Sequence, residues 1–164
     1  MKNTLLQKAR RVKLAVTDID GVWTDSCIYY SSQGEEMKKF SVYDGMAVEI
    51  LRNHNIETAI ITSESSAMVS RRAEKLKIKD VVLGSKNKVN DLEEILKIKK
   101  ISFDEVAYIG DDVNDVSVLE RVGLAVLASN SPIKDSLSVD YVTKRCGGQG
   151  AFREMADIIV QSKK

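Results

Sequence analysis

The chain has 164 residues, which is most simply one domain spanning 1–164 and is long enough for a substantial apolar core. Hydrophobic residues make up 43% of the chain and charged residues 30%, which predicts a soluble globular protein without a bilayer-spanning run. With 25 basic and 24 acidic residues the net charge is +1, so the chain lacks the positive excess with which proteins bind nucleic acids.

The N-terminal residues 1–11 are polar and basic and contain no apolar stretch, so they do not form a secretory signal. We therefore predict a cytoplasmic protein that has neither a membrane nor a nucleic acid as its partner. The two cysteines, Cys27 and Cys146, fit this prediction as reduced thiols rather than a disulfide framework. His54 is the single histidine, which nearly excludes a histidine-based triad or a multi-histidine metal site.

Short apolar, β-branched stretches alternate with amphipathic stretches along the chain. The predicted strands are 14–17, 57–62, 80–83, 106–109 and 124–127. The predicted helices are 44–53, 66–76, 87–97 and 151–160. This alternation predicts an α/β fold with a doubly wound, mainly parallel Rossmann-like sheet that is covered on both faces. In such sheets the ligand lies beyond the carboxyl ends of the strands.

One segment interrupts the alternation, between the first predicted strand and the first predicted helix. Residues 27–31 and 36–42 flank a turn at 32–35, which predicts a β-hairpin inserted at about 26–42. An isolated hairpin is only marginally stable in water. We therefore expect this hairpin to pack on another surface, such as the same hairpin of other subunits.

Two of the predicted strands end in clustered carboxylates. Residues 18–21 read Asp-Ile-Asp-Gly after the first strand, and residues 110–112 read Gly-Asp-Asp after the fourth. Mg²⁺ prefers oxygen ligands, commonly one or two carboxylates together with a phosphate. The sequence therefore predicts a Mg²⁺ site made by Asp18, Asp111 and the carbonyl of Asp20.

Such a site indicates phosphoryl transfer. Asp18 is the predicted nucleophile, which would form an aspartyl-phosphate, and Asp20 is the predicted general acid and base. Thr62 and Lys88, at or just after strand ends, are expected to contact the oxygens of the transferring phosphate. Two further carboxylates are expected to support the metal ligands and to orient the lysine: Asp112 and Asp115.

Each of these features has a structural explanation when it is taken alone. An Asp-x-Asp-Gly segment is often only a turn, and Thr62 could simply cap the following helix. Lys88 could be a solvated helix residue, and Gly-Asp-Asp could form a capped turn or a Ca²⁺-like loop. Their order, spacing and placement at strand ends together favour a catalytic site.

The same residues resemble the four motifs of the haloacid dehalogenase superfamily of phosphotransferases, over nearly the whole chain. The most similar branch is the cap-less one that includes 3-deoxy-manno-octulosonate 8-phosphate phosphatase. The matching segments are 18–25, the hairpin, 44–45, 107–112, 141–143 and 147–154. The resemblance implies a Mg²⁺-dependent phosphomonoester hydrolase without a cap domain, which acts on a 2-keto-3-deoxy sugar acid phosphate. It also implies a homotetramer in which hairpins form a central barrel and a neighbouring subunit closes each active site.

The chain departs from this branch after the second motif. Octulosonate phosphatases typically read Thr-Gly-Arg there, whereas this chain reads Thr62-Ser63-Glu64, which reverses a charge in the expected substrate pocket. The Ser-Glu pair is similar to the phosphatase-like domain of animal sialic acid cytidylyltransferases. This similarity favours a nine-carbon substrate, 2-keto-3-deoxy-nononate 9-phosphate, over the eight-carbon octulosonate. The alternative is that Glu64 is only an exposed residue at a helix N-terminus.

Further substrate contacts follow from the resemblance. Ser63 and Glu64 are expected to meet the sugar hydroxyls. Compensating positive charge is expected from Arg71, Arg72 or Lys75. The remaining candidates are Asp44, Gly45 and Gly148 for the substrate, and Arg145 or Arg153 for its carboxylate.

The C-terminal tail, about 144–164, has two interpretations. Residues 147–150 read Gly-Gly-Gln-Gly, which could be a flexible connector before the last helix. Alternatively, backbone amides near Gly148 approach the substrate of a neighbouring subunit, where a side chain would obstruct. The resemblance favours the second interpretation.

Two other functions remain open at this point. The first is a catalytically silent oligomerisation module, like the phosphatase-like domain that is fused to animal sialic acid cytidylyltransferases. Here, however, the catalytic carboxylates and Lys88 are all present. A phosphoaspartate receiver would place its modified aspartate after the third strand, whereas Asp18 follows the first.

Overall fold

The protein is described from a computed structural model, which covers residues 2–164. The helices are α1 Lys2–Arg11, α2 Val42–Asn53, α3 Ala67–Lys75, α4 Lys88–Lys99, α5 Val116–Leu119 and α6 Ala151–Ser162. The strands are β1 Leu14–Thr17, β2 Tyr29–Ser31, β3 Gly34–Met37, β4 Glu57–Ile61, β5 Asp80–Val82, β6 Val106–Gly110, β7 Leu124–Leu127 and β8 Tyr141–Val142. Short 3₁₀ turns span Phe103–Glu105 and Val113–Asp115.

Six strands form one parallel sheet in the order β5-β4-β1-β6-β7-β8. The predicted doubly wound α/β fold is confirmed. After β1, the next strand of this sheet is β4, which lies beside β1 on the side away from β6. After β6, the next strand is β7, which lies beside β6 on the side away from β1. The topological switch point therefore lies between β1 and β6, where α/β sheets bind their ligands.

The central strands of the six-stranded sheet are mostly apolar because both of its faces are covered. Ala15 of β1 faces a core made with α1, α2, α3 and α6, whereas Leu14 and Val16 face a second core made with α4 and α5. All four residues of β1 are buried, as are those of β7. Burial on both faces removes the polar alternation of a half-exposed strand, which is why continuous apolar runs marked the sheet in the sequence.

The inserted hairpin is shorter than predicted. Tyr30 pairs with Glu35 and Ser31 with Gly34, so only residues 32–33 lie between the strands and the predicted turn at 32–35 is wrong. Gly34 has a φ of 114°, a conformation that glycine adopts readily and that lets the second strand begin immediately. The second strand ends at residue 37, and the side chain of Ser41 accepts a hydrogen bond from the Tyr43 amide to begin α2.

Three elements were not predicted: α1, the four-residue helix α5 and β8. The polar segment 1–11 contains α1, which packs against α6 and buries Ala9. The two-residue strand β8 adds to the edge of the sheet. No helix among residues 2–164 combines the length and the apolar character needed to span a bilayer. The single-domain assignment to residues 1–164 stays a prediction.

Candidate active site

Asp18 lies directly beyond β1, where the strand opens into a tight turn. Its amide donates to the Ile109 carbonyl of β6 at 3.0 Å, so the backbone continues the sheet ladder by one residue. Its Oδ1 accepts from the Ile19 amide at 2.7 Å. The turn then closes through amides of Trp23 and Thr24, which donate to the Ile19 carbonyl. One carboxylate oxygen of Asp18, Oδ2, is left for other partners.

Lys88 provides the main partner. It is the first residue of α4, whose start is capped by the side chain of Asn87, which accepts from the Asn90 amide. The Lys88 Nζ atom lies 2.7 Å from Oδ2 of Asp18 and 2.7 Å from Oδ1 of Asp115. All three side chains are buried, so these ion pairs are weakly screened by solvent.

Asp115 is held by several donors at once. Besides Lys88, the Tyr108 hydroxyl donates to its Oδ1 at 2.5 Å, and the Asp111 amide donates to its Oδ2 at 2.9 Å. Both oxygens of this fully buried carboxylate are therefore hydrogen-bonded. A carboxylate held in this way positions the ammonium group of Lys88 beside Asp18.

Three carboxylates form a group that can hold a cation. Asp18, Asp111 and Asp115 each place one oxygen atom so that all three lie within 4.8 Å of one another. A side chain at Gly21 would collide with the Asp111 carboxylate, so a glycine is required for this close approach. Buried oxygen donors and one ammonium group give the hard, anionic environment that suits Mg²⁺.

The electrostatics of this group are those of crowded carboxylates. Burial, followed by the charges of Asp18 and Asp115, raises the pKa of Asp111 to about 7. Burial and the charge of Asp115 raise the pKa of Asp18 to about 6. Burial alone lowers the pKa of Lys88, but the charges of Asp18 and Asp115 outweigh it and the pKa is raised. A divalent cation would relieve the repulsion between these carboxylates.

Two members of the group, Asp18 and Asp111, line an open cleft of about 240 Å³. Its lining residues are Asp18, Asp20, Ser26, Ile28, Thr62, Ser63, Glu64, Asp111, Asp112 and Asn114. Thr62 is buried just beyond β4, and its backbone is fixed by hydrogen bonds with Val82 and Ser85. The Asn114 side chain donates to Ser63 Oγ at 3.2 Å and so connects two sides of the cleft.

Comparisons with known proteins agree with this site. Residues 77–150 match the haloacid dehalogenase-like hydrolase family. The 3-deoxy-D-manno-octulosonate 8-phosphate phosphatase KdsC of Haemophilus influenzae is 35% identical over 157 residues, which are 96% of this chain and 87% of that protein. The chain belongs to the haloacid dehalogenase superfamily. Within it, the chain falls in the cap-less branch of KdsC-like phosphatases and is a phosphoric monoester hydrolase.

Solved structures of this branch support both the fold and the metal. The octulosonate phosphatase of Moraxella catarrhalis, in complex with a magnesium ion, a phosphate ion and a KDO molecule, has a TM-score of 0.94 and 37% identity. That match covers 99% of this chain and 94% of the other. A cobalt-bound form of the Haemophilus influenzae enzyme has a TM-score of 0.92 and 35% identity, covering 96% and 92%. Mg²⁺ is the cofactor of this phosphatase, and the carboxylate group fits it.

The predicted metal ligands differ in one residue from the group of three carboxylates. The prediction was Asp18, Asp20 and Asp111. The group contains Asp115, for which only a supporting role was predicted, whereas the Asp20 carboxylate is not part of it. Asp20 instead directs Oδ1 towards Lys38 Nζ at 2.6 Å. The role predicted for Asp20 used its main-chain carbonyl and stays a prediction. Asp112 lines the cleft, but its Oδ1 accepts from the Val113 amide at 2.7 Å and begins a 3₁₀ turn.

Several predicted substrate residues do not line this cleft. Asp44 is buried, and its carboxylate accepts from the Arg153 amide at 3.0 Å at the start of α6. Burial raises its pKa to about 6, although the amides of Arg153, Gly150 and Phe152 oppose the shift. Within its own subunit, Asp44 therefore caps a helix and does not line this cleft, and its predicted contact with substrate stays a prediction.

Gly45 and Arg72 pack together outside this cleft, and their predicted substrate contacts stay predictions. A side chain at Gly45 would collide with the guanidinium of Arg72, which donates to the Ser41 carbonyl at 3.2 Å and lies over the Phe40 ring at 5.9 Å. Lys75 is exposed at the end of α3, beside a groove formed with α2. Neither cation reaches the cleft of the same chain, because α3 directs them towards α2.

The glycines of the tail pack against the protein's own turn after β1. A side chain at Gly148 would lie 2.9 Å from the Asp25 amide nitrogen, and the Gly148 amide donates to the Val22 carbonyl at 3.1 Å. This segment is therefore neither a loose connector nor part of the cleft of its own chain. Arg153 pairs with Asp157 on the same helix, and Arg145 lies 5.8 Å from the centroid of the Tyr43 ring.

Several side chains around the site were not predicted from the sequence, and two of them contact the turn after β1. Lys38 follows β3 and contacts Asp20, although its segment was assigned only to the hairpin. Asn130 follows β7, donates to the Gly21 carbonyl at 3.0 Å and accepts from the Gly147 amide at 2.6 Å. Neither residue belongs to a motif with local spacing, because each reaches the site only through tertiary folding.

Crowding of the carboxylates predicts a pH-dependent stability in the absence of metal. The pKa values of Asp18 and Asp111, about 6 and about 7, lie above the ordinary value of 3.8. The folded state therefore binds more protons than the unfolded state between about pH 4 and about pH 7. The free energy of unfolding consequently falls as the pH rises through this range. The stability of the Asp111→Asn variant relative to that of wild type should therefore be higher at about pH 8 than at about pH 5.

Urea unfolding of both proteins in EDTA measures this difference. Added Mg²⁺ should stabilise wild type more than Asp111→Asn, since the variant has lost one anionic ligand. A stability difference between the two proteins that is the same at both pH values would contradict the crowding of these carboxylates.

Proposed function

We propose that this phosphatase hydrolyses the phosphomonoester of a 2-keto-3-deoxy sugar acid, with 3-deoxy-D-manno-octulosonate 8-phosphate as its substrate. The observation that carries the proposal is the match to KdsC enzymes over 96% of the chain, together with the Asp18–Lys88–Asp115 cluster, whose Asp18 lines an open cleft. The Moraxella catarrhalis structure supports it because that protein binds a KDO molecule and a phosphate ion together.

In the first step, a carboxylate oxygen of Asp18 attacks the phosphorus atom. A P–O bond forms to Asp18 while the ester P–O bond breaks, and the carboxyl group of Asp20 gives its proton to the departing sugar oxygen. Lys88 holds Asp18 in place and compensates charge on the transferring group, and the Thr62 hydroxyl donates to a phosphate oxygen. When bound, Mg²⁺ neutralises the charge of the phosphate and the surrounding carboxylates.

In the second step, water attacks the phosphorus atom of the aspartyl-phosphate. Asp20, now a carboxylate, takes a proton from this water, and the bond between phosphorus and the Asp18 oxygen breaks. Inorganic phosphate leaves and both aspartates return to their starting states. Asp115 and Asp112 act indirectly, Asp115 by positioning Lys88 and Asp112 by ordering the turn after β6.

A second candidate substrate is 2-keto-3-deoxy-nononate 9-phosphate. The observation that favours it is Glu64, which lines the cleft with an exposed side chain where the octulosonate branch typically has an arginine. Its main chain is fixed, because its carbonyl accepts from the Gly84 amide at 3.2 Å. A carboxylate there would accept hydrogen bonds from the hydroxyls of a longer sugar, with Ser63 beside it.

We further propose that the enzyme is a homotetramer with a neighbouring subunit at each cleft. Apolar side chains are exposed on the hairpin and on the adjoining start of α2: Ile28, Tyr29, Tyr30, Met37, Val42, Tyr43 and Met46. Tyr30 is 71% exposed and Val42 is 78% exposed, which is more apolar surface than a monomer commonly leaves in one region. In such an assembly Arg72, Lys75 or Gly148 would contact the substrate of a neighbour.

Phosphate release from purified eight-carbon and nine-carbon substrates tests the assignment. We expect a higher kcat/KM for the octulosonate phosphate than for the nononate phosphate. We expect Glu64→Gln to leave the ratio of these two kcat/KM values unchanged. Glu74→Gln, an exposed change on the adjacent α3, is the matched control. A higher kcat/KM for the nononate phosphate, reduced in Glu64→Gln but not in Glu74→Gln, would replace the first substrate with the second.

A further inference from the structure

A lysine of the hairpin is buried beside the active site. The side chain of Lys38, the residue directly after β3, is only 1% exposed although it carries an ammonium group. An ammonium group removed from water requires partners that compensate for its lost hydration. The mechanism proposed above gives this lysine no role.

Its partners connect three parts of the chain. Nζ of Lys38 lies 2.6 Å from Oδ1 of Asp20 and 3.0 Å from Oε1 of Glu35. The other oxygen of Glu35, Oε2, accepts from Ser66 Oγ at 2.8 Å. Ser66 is buried directly before α3. The ammonium group is thus held between the turn after β1, the hairpin and the start of α3.

The two oxygens of Asp20 are in different situations. Oδ1 accepts from Lys38 and, at 3.4 Å, from the Thr24 hydroxyl. Oδ2 is buried and has no hydrogen-bond partner among residues 2–164. A carboxyl group that exchanges a proton with a substrate benefits from an anchor that fixes its orientation.

We infer that Lys38 is a positioning residue for Asp20, fixing Oδ1 and with it the orientation of the carboxyl group that delivers and recovers the proton. Glu35 and Ser66 keep the ammonium group in place. The hairpin therefore contributes to the active site of its own subunit, in addition to any contact that it makes with other subunits. This inference rests on the proposed role of Asp20 as general acid and base.

A change of leaving group tests the inference. Phenoxide is a much stronger base than dinitrophenoxide, so its departure from phosphorus needs a proton and that of dinitrophenoxide does not. Because kcat/KM reports the steps up to phosphorylation of Asp18, we expect Lys38→Met to lower kcat/KM for phenyl phosphate about 100-fold and to lower that for dinitrophenyl phosphate far less. Lys39→Met is the matched control, since that exposed lysine pairs with Asp25 and not with Asp20.

A purely structural role for Lys38 predicts another result. Damage to the site as a whole would lower kcat/KM for both substrates equally, and either equal losses or no loss in Lys38→Met overturns the inference. Should Lys38→Met fail to fold, Glu35→Gln keeps the ammonium group but loosens it. We then expect a smaller loss that is again confined to phenyl phosphate, and equal losses in Glu35→Gln overturn the inference as well.

The variant Asp20→Asn separates the role of Asp20 from that of Lys38. If it shows no dependence on the leaving group, the proposed role of Asp20 fails and the inference fails with it. If Asp20→Asn shows the dependence but Lys38→Met does not, the mechanism stands and only the role of Lys38 is refuted.

Discussion

Replacing Asp18 with asparagine is expected to lower kcat by on the order of 10⁴-fold or more, because an amide oxygen is too weak a nucleophile to form the acyl-phosphate bond. The neutral side chain also removes one anionic ligand of Mg²⁺ and one of the two partners of Lys88. Folding should persist, since Asp115 still accepts from the Lys88 ammonium group. Phosphate release with saturating Mg²⁺, together with urea unfolding of the same preparation, measures both effects.

The control for this variant is Asp157→Asn, which makes the same chemical change in a pair with Arg153 on α6, outside the cleft. We expect its kcat to match that of wild type. If folded Asp18→Asn kept a kcat within about tenfold of wild type, Asp18 would not be the nucleophile. Activity restored slowly during storage would indicate deamidation of the asparagine back to aspartate, which mass spectrometry detects.

Replacing Lys88 with methionine is expected to destabilise the metal-free protein by about 3–5 kcal/mol. Methionine fills a similar volume, but it leaves the buried carboxylates of Asp18 and Asp115 without their cation. Asp111 lies in the same group and adds to the repulsion. Activity should also be lost, because the phosphate then lacks a positive charge beside Asp18.

Urea unfolding in EDTA measures this stability loss. Lys86→Met is the matched control, since this exposed lysine lies just before α4 and should change stability by no more than about 0.5 kcal/mol. Mg²⁺ should return part of the lost stability to Lys88→Met, because the ion neutralises some of the same carboxylates. Unfolding of Lys88→Met at the urea concentration that unfolds wild type would refute the ion-pair network.

The sheet could be predicted from the sequence because strands that are buried on both faces appear as short, continuous apolar runs. The five predicted strands each agree with an observed strand to within one residue at either end, since each is a short apolar run. Segments without such a run were missed. The helix α1 is mostly polar, and β8 has only two residues and exists because β7 lies beside it.

The position of the catalytic candidates could also be predicted. Each follows a strand, and the carboxyl ends of parallel strands lie at the same edge of the sheet. Asp18, Thr62 and Asp111 are in this position, and Lys88 begins the helix after β5. Of the substrate candidates, Ser63 and Glu64 line the cleft, whereas the positions of the others could not be predicted. Asp44, Gly45 and Arg72 lie between helices of their own subunit, and only the packing of α2 against α3 and α6 reveals this.

The amino-acid sequence by itself therefore determined the architecture and the acidic centre, since both depend on local runs and on where strands end. Only the tertiary structure decided that Asp115 joins the carboxylate group and that Lys38 is held against Asp20. These contacts join residues far apart in the chain through side-chain reach, burial and charge balance. No local spacing encodes them, because they exist only after the turn, the hairpin and the helices have come together.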